Sequence, residues 1–118
     1  MYVNIYIYLY IIILVILLTA IESFSQYNLK LFNKSNSIYY FLIGALSYVI
    51  ISAMLSYLFG FEKMGIVNNL WNVCSSISIV IIGYLFFKEK LSTVQLIGVT
   101  LGILGVALMG IDGYMNHL

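Results

Sequence analysis

Apolar residues run through this chain in four long stretches, and the polar residues between them fall into short clusters. Residues of about 4–29, 38–60, 65–87 and 93–113 are each apolar over the length of about 20 residues that a helix needs to cross a hydrocarbon layer. The connectors hold nearly all of the charge: Lys30 and Lys34, then Glu62 and Lys63, then Lys88, Glu89 and Lys90, with Asp112 at the end of the fourth stretch. Against that background Glu22 stands out. It is the only charged side chain in the first 29 positions, and it lies well inside the first apolar run. The pattern predicts an all-α membrane protein, four transmembrane helices in one domain over residues 1–118. The first stretch is long and lacks a basic leader and a small-residue cleavage site, so it reads as a span rather than a signal peptide.

Composition narrows the class. Of 118 residues, 64% are apolar and 8% charged, against about 25% charged in soluble domains. So few charges do not cover a protein's surface in water, and the expected location is integral to a membrane, a plasma or inner membrane. A net charge of +1 gives no basic field for nucleic acid. The single Cys74 lies in an apolar segment and excludes an intrachain disulfide. His117, beside the C-terminus, reads as a solvated tail residue. No metal cluster or nucleophile constellation can be assembled, so neither a cofactor nor a catalytic reaction is expected. The first and third connectors carry four lysines and the opposite side one. The positive-inside rule therefore places both termini outside the cytoplasm.

The polar residues inside the spans follow helical spacing. In the first helix Thr19, Glu22 with Ser23, Gln26 and Lys30 recur at steps of three and four and share a face. Gln26, one turn after Glu22, is placed to hydrogen-bond its carboxyl group. A carboxylate inside a span costs about 2.5–3.5 kcal/mol on insertion scales and ordinarily faces a partner, a cavity or a substrate path. The plainer reading is polar glue between helices, which an amide or hydroxyl would provide at lower cost. The second helix aligns Gly44, Tyr48, Ser52 and Ser56, with Ser47 beside them, a face suited to close helix packing or to a cavity wall. The third opens with Asn68, Asn69, Trp71 and Asn72, followed by Ser75 and Ser76. Trp71 reads as an interfacial anchor or as a wall that attracts organic cations. The fourth carries Gly98, Gly102 and Gly105 on one face, an association surface in lipid.

Together these residues resemble the small multidrug resistance family, the four-helix branch of the drug/metabolite transporter superfamily, over about residues 5–112. The family's membrane-embedded glutamate matches Glu22 in AIESFSQYNLK, with a lysine at Lys30. Its helix-2 tyrosine matches Tyr48, and its glycine six residues before a tryptophan matches Gly65 and Trp71 in GIVNNLW. The phrase LFFKEKLS, ending at Ser92, is similar to the superfamily's approach to its last helix, and the ends of its dimer motif match Gly98 and Gly105. The chain departs from the drug exporters at Asn68, where they have a substrate-contacting tyrosine, and at Asn72, Val73 and Ser75, where they have small residues that let the helix kink.

The resemblance implies a half-transporter that dimerises, with itself or with a related four-helix chain, through Gly98, Gly102 and Gly105. It also implies proton-coupled export of a small cationic compound at a shared site built on Glu22. Removal from water disfavours an ionised carboxyl group, so proton and cation compete there. Trp71 and Tyr48 would supply walls, and Asn68, Asn72 and Gln26 orienting hydrogen bonds. The polar pocket points to a small hydrogen-bonding cation, amine- or guanidinium-like, rather than a large aromatic one. Two other readings stand beside this one: a half-size metabolite carrier or flippase without proton coupling, and a non-transporting membrane interaction subunit.

Overall fold

A computed structural model describes the backbone of residues 2–117 and the side chains of residues 5–109, 111 and 112. His117 lies outside the described side chains. The chain is all-helical: α1 Tyr2–Ser35, α2 Ile38–Leu58, α3 Met64–Phe87 and α4 Thr93–His117. The first three are long and apolar enough to cross a membrane, and α4 contains a shorter apolar segment, Thr93–Met109.

The main difference from the sequence reading is the length of α1. It does not stop near residue 29 but continues through Lys30 and Lys34 to Ser35, so both lysines are helical rather than part of a connector. No glycine or proline interrupts it, and charge at a membrane boundary does not end a helix. What ends it is Asn36, in the left-handed region at φ 59°, whose N–H donates to the Phe32 carbonyl at 2.7 Å. Asn accepts this conformation more readily than most residues.

α1 is the hub. It packs against α2 and α3 and, less extensively, against α4, which otherwise rests on α3. Its buried stripe steps by four and three through Ile11, Val15, Leu18, Glu22 and Ser25, so one face changes from apolar to polar along its length. The apolar part packs with Ile51 and Leu58 of α2 and Val67 of α3. On the polar part α2 comes closest. A methyl group at Gly44 would lie 2.6 Å from Leu29 Cδ2, and the buried Ser25 hydroxyl donates to the Gly44 carbonyl at 2.7 Å. The small-residue face read from the sequence of α2 thus brings two helix backbones together at Gly44.

Several polar side chains lie inside the bundle beside this core, while many large apolar ones face outward. Thr19, Ser23, Asn28, Ser47 and Ser75 are buried, whereas Leu46, Val49, Val94, Leu101 and Leu108 are exposed. Thr19, Asn28 and Ser47 satisfy themselves on the carbonyl four residues earlier. Together with the three long apolar helices, this arrangement suggests a membrane-embedded protein.

Aromatic side chains cluster at two levels. Tyr10, Tyr57 and Phe61 meet edge to face at one end, with the Tyr10 and Tyr57 hydroxyls 3.2 Å apart. Tyr27, Phe86 and Phe87 meet at the other, where Lys30 and Lys34 lie over the Phe87 ring. Tyr10 and Tyr27 are separated along α1 by about 26 Å at 1.5 Å per residue, close to the thickness of a bilayer's hydrocarbon core at about 30 Å. Lys30 also pairs with Glu89 at 2.7 Å, which ties the last turns of α1 to the connector between α3 and α4.

Candidate functional site

Glu22 is one helical turn beyond Leu18 on the buried stripe of α1, and only 7% of its surface is exposed. Counted along the helix it lies about 8 Å from the level of Tyr27, nearer the lysine-bearing end. Its two oxygens differ. Oε1 accepts from Ser75 Oγ at 2.8 Å and from Gln26 Nε2 at 2.9 Å. Oε2 is buried and has no hydrogen-bond partner.

Each donor is itself held. The Gln26 amide donates its second proton to the Tyr48 hydroxyl at 3.2 Å, linking α1 to α2. Tyr48 retains its own hydroxyl proton for a further acceptor. Ser75 is buried on the face of α3 that carries Val67 and Trp71, and a second α1–α3 link, Ser23 to Ser78 at 2.8 Å, lies beside it. The carboxyl group therefore sits where three helices are tied together by side-chain hydrogen bonds.

Trp71 packs against the apolar core below this network, and its indole N–H is also buried without a partner. A buried unpaired donor or acceptor costs about 1–3 kcal/mol. Two such atoms, one acceptor and one donor, occupy this part of the bundle.

A cavity of about 530 Å³ runs from the network to the lysine-bearing end. Ser23, Gln26 and Tyr48 line its inner part, Tyr27 and Phe87 its walls, and the ion-paired Lys30 and Glu89 its rim. Glu89 is positioned there by the turn after α3, where Lys88 adopts φ 55° and the Glu89 N–H donates to the Gly83 carbonyl at 3.0 Å.

Of the residues singled out from the sequence, the structure brings together Glu22, Gln26 and Tyr48, and it places Trp71 one turn from Ser75. It does not bring Asn68 and Asn72 to Glu22. Both are exposed, because one residue's rotation of about 100° separates them from Val67 and Trp71 on α3. Gly98, Gly102 and Gly105 are exposed, with no neighbour within 4 Å of an added methyl group, so the stripe on α4 stands open. Ser75 is the residue that sequence reasoning undervalued. Its spacing of four from Trp71 and eight from Val67 marks the inward stripe of α3.

Among the described residues no three His, Cys, Asp or Glu side chains gather as a metal-holding group. No protein-family model matches the chain, and no curated protein matches it.

Proposed function

We propose that the chain is a membrane-embedded half-transporter that exchanges protons for small organic cations at Glu22. The observation that carries this reading is the asymmetry of the carboxyl group. Oε1 is occupied by two protein donors, while Oε2 is buried and unpartnered, and the neighbouring Ser23 and Gln26 line a cavity. A proton on Oε2 removes the charge, and a cationic N–H donated to Oε2 neutralises it. Neither can be present with the other, because both use the same charge and the same oxygen. This mutual exclusion couples an outward-moving cation to an inward-moving proton.

Three helices that meet at one carboxyl group do not by themselves provide two alternating openings. The reading therefore includes a second four-helix chain, a further copy or a relative, seated on the open glycine stripe of α4, where small residues let backbones approach closely. In this assembly α4 spans the membrane with the other helices. The resemblance to the small multidrug resistance family supports the same arrangement.

Purified protein in liposomes tests the proposal. A proton gradient should drive concentrative uptake of an alkylammonium ion, and Glu22→Gln should abolish it while the variant remains inserted and helical. Gradient-driven uptake that survives in Glu22→Gln overturns the proposal.

A further inference from the structure

We infer that Ser75 makes the Glu22 site selective for single-point ammonium cations over guanidinium cations; the inference rests on Glu22 being the exchange site. A carboxylate oxygen has two lone pairs. On Oε1 both are engaged, one by the Ser75 hydroxyl at 2.8 Å and one by the Gln26 amide at 2.9 Å. Only Oε2 is open. A guanidinium ion is recognised best by a fork of two parallel N–H bonds, one to each carboxylate oxygen. Here the second arm of that fork meets an oxygen that is already filled. An ammonium group is a point charge with rotatable donors, and it needs Oε2 alone.

The two occupants of Oε1 are not equally replaceable. Gln26 is held at both of its amide protons, by Glu22 and by Tyr48. Ser75 comes from the facing helix, and its hydroxyl is its only donor. Removing that hydroxyl frees one lone pair on Oε1, while Gln26 continues to hold the carboxyl group in place. Ser75 thus acts through Glu22 as a specificity-determining residue rather than through contact with the cation.

The test uses butylammonium and butylguanidinium, which share a tail and differ in the head group. Binding is read as proton release from detergent-solubilised protein, with Trp71 emission as a second signal. In the wild type butylammonium should bind about tenfold more tightly than butylguanidinium, the size of one charge-assisted hydrogen bond. Ser75→Ala should reduce or reverse that ratio by about the same factor, and Ser75→Thr, which keeps the hydroxyl, should preserve the wild-type ranking. A wild type that prefers guanidinium, or a ratio unchanged in Ser75→Ala, overturns the inference while Glu22-dependent proton release leaves the exchange site standing. If neither cation releases protons in a Glu22-dependent manner, the exchange site fails and the inference fails with it.

Discussion

Gly44 is where packing and site are most tightly joined, and Gly44→Ala probes that junction. The added methyl carbon would lie 2.6 and 2.7 Å from Leu29 Cδ2 and Cγ and 3.3 Å from the Ser25 carbonyl oxygen. Non-bonded carbons rest about 3.5–4.0 Å apart, so α1 and α2 must separate or Leu29 must change rotamer. Overpacking of this kind costs about 1–3 kcal/mol. Separation also lengthens the buried 2.7 Å bond from Ser25 to the Gly44 carbonyl, a loss of about 1 kcal/mol. The better helix propensity of alanine offsets about 1 kcal/mol of this. The net expectation is destabilisation of about 1–3 kcal/mol. Because Tyr48 is one turn further along α2, the same shift also strains its link to Gln26. Reversible unfolding in mixed micelles measures the effect, followed by the emission of Trp71, the only tryptophan. Leu29→Ala removes the two atoms that the methyl group strikes, so Gly44→Ala should cost less in that background, with a coupling of about 1 kcal/mol or more. A neutral or stabilising Gly44→Ala, or the same cost in both backgrounds, would refute the close approach.

Other expectations concern the same bundle. Glu22→Ala leaves the Ser75 hydroxyl and the Gln26 amide without their acceptor, at about 1–3 kcal/mol, whereas Glu22→Gln supplies a carbonyl oxygen in its place. In thermal unfolding the Gln variant should be the more stable of the two, and the reverse order would contradict the bonding to Oε1. Lys88→Gly should stabilise the protein by about 1 kcal/mol, because Lys88 holds φ 55°, a region costly for any residue with a side chain; a loss of stability would contradict the turn. Glu89→Gln breaks the pair with Lys30, whose partners are both well exposed. Its effect on stability should stay within about 1 kcal/mol and shrink further in high salt. A larger cost would mean that the rim is load-sharing with the core.

Much of the fold was legible because hydrocarbon-length apolar runs separated by charge leave few alternatives. The Glu22–Gln26 bond was legible for a similar reason: both residues lie on one helix, and a spacing of four fixes their relation. The close approach at Gly44 could be read from the small residues of α2, although not the identity of the opposing Leu29. The end of α1 was not visible at Lys30, because a helix passes out of the apolar zone without changing its backbone, and the left-handed Asn36 decides where it stops. Ser75 and the asparagines of α3 illustrate a deeper limit. Amide content drew attention to Asn68 and Asn72, yet the side of α3 that faces α1 is set by the packing of Val67 and Trp71, and on that side the polar residue is Ser75. Register between helices is a property of their contacts, which a single helix does not encode.

The most direct test of the central claim is proton release on cation binding. Detergent-solubilised protein in weak buffer, mixed with an alkylammonium salt, should acidify the solution in proportion to occupied sites. The same salt added to Glu22→Gln should release nothing. Equal release from both proteins, or cation binding without release from the wild type, would contradict exchange at Glu22.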